Sequence, residues 1–157
     1  MMNAEYRALL QRWFRGNLDA CFFIEQVFNA LHVWDDLIDR DKAIPTESIN
    51  VSMEMLLLDL PRNRFYVENF AALNSLLTIA ILNWHIANQL ETEQASLDVA
   101  FIIRSSYIDL ITMSAAIIGG RAHAIMVGHE ARPRASREGF ETYRLALTQE
   151  HRQMEVI

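Results

Sequence analysis

Apolar positions recur at helical spacing along nearly the whole chain. Tyr6, Leu9, Leu10, Trp13 and Phe14 fall on one face of a first helix that Asn3 can cap. Gly16 and Asn17 break and recap the chain, and a second helix is predicted from about Leu18 to Arg40. Asp41 to Pro45 read as a turn. Thr46 or Ser48 can cap a third helix that buries Ile49, Met53, Leu56, Leu57 and Leu60 and ends at Pro61. Residues 65–91 read as one long helix, apolar around most of its circumference, which predicts a central place in a bundle. Residues 95–118 repeat that character. Gly119-Gly120 offers a kink or a stop, a short segment follows from Arg121 to Val127, and Gly128 to Ala135 read as a loop around Pro133. Ser136 can cap a last amphipathic helix bearing Phe140, Tyr143 and Leu147. No strand alternation, repeat or low-complexity tract occurs. The pattern predicts an all-α fold, a single-domain bundle of six or seven helices over residues 1–157.

Composition narrows the function classes. The chain has 157 residues, 52% hydrophobic and 22% charged, which fits one packed domain and excludes a disordered chain. The net charge of −6 is concentrated at the front, where residues 1–60 hold ten acids and five bases. An acidic chain without a basic face is not expected to bind nucleic acid. No uncharged apolar run is expected to reach about 18 residues, so no membrane span is expected. The opening MMNAEYRALLQRWF lacks the order of a secretory signal, and the single cysteine, Cys21, excludes an intrachain disulfide. A cytoplasmic location is the expectation.

The chemistry-bearing stretch is His32-Val33-Trp34-Asp35-Asp36-Leu37-Ile38-Asp39-Arg40-Asp41. On a helical wheel Glu25, Asn29, His32, Asp36, Asp39 and Arg40 share one arc of about 100°, with Asp35 at its edge. Phe23, Val27, Ala30, Leu31, Trp34 and Ile38 take the other side. Two readings stay open. The arc is the solvated face of an amphipathic helix, or it looks into a cleft where carboxylates one turn apart share Mg²⁺ and a polyphosphate.

Asp35-Asp36-Leu37-Ile38-Asp39 has the form DDxxD and resembles the first aspartate-rich motif of class I isoprenoid synthases. The resemblance implies a helix lining a cavity in an all-α bundle, with Mg²⁺ gripping a prenyl diphosphate and Asp35, Asp36 and Asp39 as metal ligands. It covers about ten residues, and the second metal motif of those enzymes is not found, which implies a reduced or non-catalytic relative. The same run also resembles a segment of small uncharacterised helical proteins of tailed phages.

Other positions could complete such a site. Asn74, Thr78, His85 and Gln89 form a polar stripe on the 65–91 helix, and Asp98, Ser105, Asp109 and Thr112 form one on the next. They are expected to pair with each other, or to face Asp36, with His85 and Asp109 as ligand or supporting candidates and His32 flanking. Arg40 and Arg121 are the candidate phosphate contacts, with Arg104 a further cation. His123 and His129 do not share a helical face.

Two functions follow as expectations. One is a non-enzymatic interaction protein, phage-encoded as the resemblance implies, whose acidic face meets a basic partner surface and whose terminal helices can form a homo-oligomer. The other is a Mg²⁺-dependent protein acting on a diphosphate ester, isoprenoid-synthase-like or a helical nucleotide pyrophosphohydrolase. A pocket with the aspartates pointing in favours the second, and a packed interior with a convex acidic face favours the first.

Overall fold

The computed structural model describes residues 4–39, 43–135 and 139–154, the last six of these as backbone alone. The chain is all-α. Its elements are α1 (Ala4–Trp13), α2 (Leu18–Asp39), α3 (Thr46–Glu54), a π turn (Met55–Asp59), a 3-10 turn (Leu60–Arg62), α4 (Arg64–Glu68), α5 (Phe70–Thr92), α6 (Leu97–Ile103), a 3-10 turn (Ser106–Ile108), α7 (Asp109–Ala135) and α8 (Phe140–Met154). The expected caps at Asn3 and Ser136 lie outside the described residues.

The core forms where the apolar faces of α1, α2 and α4 meet α7. Leu10, Trp13 and Phe14 pack with Phe23, Ile24, Val27 and Phe28, and with Phe65, Tyr66, Ile111 and Val127. Phe23 stacks on Tyr66 at 5.2 Å. Asn17 caps α2 by accepting from the Ala20 amide at 3.0 Å, as its place after Gly16 predicts.

Four boundaries differ from the sequence reading. The 65–91 helix is two helices, because Asn69 (φ −117°, ψ 22°) leaves helical geometry and donates its amide to the Phe65 carbonyl at 2.8 Å. Asn63 caps the short α4 and also donates to the Asp19 carbonyl, tying α4 to α2. The third helix has Pro45 at its cap and no side-chain cap from Thr46 or Ser48. Ser52 and Leu60 turn inward, while Met53 is exposed on α3 and Leu56 and Leu57 are exposed on the π turn that follows it.

The last two differences concern residues 95–135. The 95–118 stretch breaks at residues 104–108, so Asp109 opens α7 instead of sitting inside a helix. α7 then reverses at Gly120, whose φ of 77° and ψ of −176° belong to a region that only glycine enters readily. The two arms run back along each other. Asp109 pairs with Arg132, and a Cβ at Gly128 would lie 3.2 Å from Thr112 Oγ1. The expected loop 128–135 is therefore the end of the second arm. Gly128 provides close helix approach, and Pro133 sits in the last turn of the arm, two residues before its end. Trp13 anchors α1 to that arm: its carbonyl accepts from His123 Nε2 at 2.7 Å, and its indole donates to Glu130 at 2.8 Å.

Candidate functional site

A pocket of about 450 Å³ opens where α2, α5, α6 and α8 meet. That volume is in the range of small-molecule sites. α2 supplies Phe28, Leu31, His32, Trp34, Asp35 and Asp39, and α5 supplies Ala80, Ile81 and Trp84. Phe101, Arg104, Tyr107, Ala135 and Tyr143 close the remaining sides. Six of these fourteen residues are aromatic, and three carry charge at neutral pH: Asp35, Asp39 and Arg104.

The aromatic walls are built from rings that support one another. Trp34 and Trp84 lie 5.0 Å apart, and Tyr107 meets Phe28 edge-on at 4.7 Å. Phe101 packs on Phe140 and Tyr143 of α8. Edge and offset contacts of this kind add to the area the rings bury. They also fix the walls in place before any ligand arrives.

The polar groups form one network. Trp84 Nε1 donates to Asp35 Oδ1 at 2.8 Å, and Arg104 approaches the same oxygen at 3.6 Å. Arg104 is ion-paired to Glu91, and Tyr143 donates its hydroxyl to Glu91 as well. The guanidinium lies 5.7 Å from the Tyr143 ring centre. Burial works against the Arg104 charge, but Glu91 and Asp35 outweigh it and raise its pKa. Burial raises the Tyr143 pKa, and its bond to Glu91 raises it further. Burial likewise raises Tyr107. His32 holds its ring by donating Nδ1–H to the Phe28 carbonyl at 2.7 Å, which leaves Nε2 as the acceptor of the neutral ring.

The predicted acidic arc is thus divided. Glu25 pairs with Arg7, Asp35 joins the Trp84–Arg104 network, and Asp36 is half-buried on α2 without lining the pocket. Asp39 lines the pocket and is exposed. Asp35 reaches the pocket from the edge of the arc because Trp34, its neighbour, packs toward α5. His85 is exposed beside Trp34 and Trp84 and does not line the pocket. Asp109 is held by Arg132 on α7, away from the lining, because its helix starts there. Arg121 is exposed just beyond the Gly120 reversal, also outside the lining. Arg40 lies outside the described residues.

The two polar stripes do not pair with each other. Asn74 accepts from the Tyr66 hydroxyl at 3.0 Å, while Thr78, His85 and Gln89 are exposed. The side-chain link across this region runs from Asn83 to Ser106 at 2.8 Å instead.

A magnesium ion fits this arrangement poorly. Among the described residues no group of three or more His, Cys, Asp or Glu side chains converges as a metal site. Asp35 already accepts from an indole and faces a guanidinium. No step through a metal is therefore derived.

The sequence reading left out of the site all six aromatic lining residues, Phe28, Trp34, Trp84, Phe101, Tyr107 and Tyr143, and the acid Glu91. One signal pointed there: Arg104 is the lone Lys or Arg between residues 65 and 120, in the most apolar part of the chain. A lone cation in such a stretch calls for acids nearby, and Glu91 is thirteen residues away.

Compared with family models, with curated proteins and with solved structures, the chain finds no match.

Proposed function

We propose that this chain is a binding protein whose pocket takes a compact organic cation with an apolar body. The observation that carries this reading is the lining. Six aromatic rings surround the space, and two carboxylates stand against one guanidinium that Glu91 also engages. Aromatic faces attract cations by about 0.5–2 kcal/mol each, more where water is excluded. Asp35 and Asp39 outnumber Arg104 in the lining, which disfavours a bare anion and favours a cation.

Trp34 and Trp84 report occupancy by fluorescence. Phenyltrimethylammonium is expected to quench them saturably, with tert-butylbenzene, the neutral analogue, at least about tenfold weaker. Trp34→Leu is expected to weaken the cation by a similar factor. Equal binding of the neutral analogue, or no saturation by the cation at about 10 mM, overturns the reading.

One observation favours a second reading, the Mg²⁺-dependent diphosphate site. Asp35 and Asp39, one helical turn apart, line the same pocket as Arg104. The same titration separates the two. Binding of pyrophosphate only with Mg²⁺, lost in Asp39→Asn, supports the diphosphate site and counts against the cation.

A further inference from the structure

The pocket is graded by depth. Phe28, Ala80 and Tyr143 are buried and form its floor, and Trp34, Trp84 and Tyr107 are partly buried around it. Of the fourteen described residues that line it, His32 and Asp39 are the two that are exposed, and both belong to α2. They make the rim. The grading needs α5 and α8 in the bundle. By length and composition Phe70–Thr92 is apolar enough to cross a membrane, as is Leu97–Thr148, against the expectation of no span. A span would take Ala80 and Trp84, or Phe101 and Tyr143, out of the lining.

His32, Asp35 and Asp39 stand at i, i+3 and i+7, one strip about 10 Å long on one side of α2. Each presents acceptors. A carboxylate accepts only. His32 Nδ1 meets the Phe28 carbonyl at 2.7 Å, and a carbonyl cannot donate, so the proton of that bond is on Nδ1. With Nδ1 tied to its own helix, Nε2 on the far side of the ring points away from the helix backbone, and in the neutral ring it accepts. Trp84 and Arg104 both meet Asp35 at Oδ1, so neither holds its Oδ2. Two of the donors nearby, the Arg104 guanidinium and the Tyr143 hydroxyl, are turned on Glu91.

A ligand head seated on this strip must therefore donate. A quaternary ammonium has no N–H. Aromatic faces alone would still favour it, because a primary ammonium gives up a tighter water shell. We infer that the ligand is a protonated arylalkylamine, an inference that rests on the cation reading above. Its N–H groups donate to His32 Nε2 and to the Asp35 and Asp39 carboxylates, and its ring lies on the buried floor. The depth order fits this pose. The charge stays near water, where its desolvation is small, and the apolar body takes the buried end. His32 is the residue that sets the specificity, because it adds an acceptor to the rim without adding a negative charge.

The test compares two cations of the same ring, benzylammonium and benzyltrimethylammonium. A space of about 450 Å³ holds either, so size does not choose between them. Both are titrated into the full chain by calorimetry and tryptophan fluorescence at about pH 7.5, where the amine is protonated and an ordinary imidazole is neutral. Wild type is expected to bind benzylammonium at least about fivefold more tightly, and benzyl alcohol, a neutral donor, at least about tenfold more weakly than benzylammonium. His32→Phe, on an exposed position, is expected to keep its helical circular dichroism and to bring the ratio of the two cations to about one or below, since it removes an acceptor and adds a ring. The ratio is read within each protein, so a change in folded fraction cancels. Quaternary binding as tight as or tighter than the ammonium in wild type overturns the inference and leaves the cation reading standing. So does benzyl alcohol binding as tightly as benzylammonium, or a ratio unchanged in His32→Phe. Failure of both cations to saturate by about 10 mM overturns the cation reading itself and the inference with it.

Discussion

Arg104→Met tests whether one cation organises the pocket. Arg104 is 26% exposed, its partner Glu91 12% and its second partner Asp35 37%. Removing the guanidinium leaves Glu91 with the Tyr143 hydroxyl as its remaining partner in a site that excludes most water. Removing one member of a fully buried pair costs about 3–5 kcal/mol, and partial exposure of Arg104 lowers this to about 2–4 kcal/mol. The Asp35 contact at 3.6 Å, on a more exposed acid, adds at most about 1 kcal/mol. For a chain of this size the melting temperature should fall by about 5–15 °C, read by thermal circular dichroism and urea unfolding at neutral pH. The decisive variant is Arg104→Met with Glu91→Gln. It removes the stranded charge and should recover about half the loss, a coupling of roughly 1–2 kcal/mol. A double variant no more stable than Arg104→Met, or a single variant within about 0.5 kcal/mol of wild type, would refute the reasoning.

Other sites give independent checks. A methyl at Gly119 would lie 2.4 Å and 2.6 Å from His123 ring carbons, so Gly119→Ala should destabilise by about 2–3 kcal/mol despite better helix propensity. Adding His123→Ala should recover only part of the loss in the same melts, because the residue-123 Cβ also lies 2.8 Å from the new methyl and the bond to the Trp13 carbonyl is lost. Gly120→Ala should cost about 1–3 kcal/mol, and His123→Ala should not rescue it, because its φ of 77° is a backbone matter. Burial and then Glu25 push the Cys21 thiol up to about 11 from 9.0. Its reaction with an aromatic disulfide near pH 8 should be about 100-fold slower than that of an unperturbed thiol. The neutral thiol is the form the fold favours, so this contribution to stability holds below pH 9.0 and is lost as pH rises through about 11. Tyr143→Phe should loosen α8 by about 1.5–3 kcal/mol through the lost bond to Glu91, seen as faster amide exchange across residues 140–148. With its pKa raised, Tyr143 stabilises the fold below the ordinary tyrosine range, and that stability is lost as pH climbs through its higher folded value. Its ionisation should lie above the ordinary tyrosine range in an ultraviolet titration.

Much of the helical layout was readable locally because its causes are local. The 3.6-residue spacing of Leu10, Trp13 and Phe14, the Gly16-Asn17 break and the Gly119-Gly120 stop act within a turn or two of themselves. They set an all-α bundle without reference to distant residues. What failed locally was whatever depended on a neighbour. Gly128 and Pro133 are loop signals taken alone, yet Thr112 needs a glycine opposite it, and the arm from 121 to 135 stays helical because it packs on 109–119. Asp109 looked like a helix-interior carboxylate until the break before it supplied a new helix start and Arg132 folded back to it.

The candidate site divides in the same way. The sequence alone placed the acids of α2 on a helix and placed Asp35 at the edge of their arc. It could not say that Trp34 draws that edge inward, or that Trp84, Arg104 and Tyr143, separated by 49 to 108 residues from Asp35, close a space around it. Periodicity reports which residues share a face; only packing decides what that face meets. For α5 the periodicity called for burial all round, and the fold covers one side with α6 and α7, leaving Ile79, Leu82 and Ile86 uncovered.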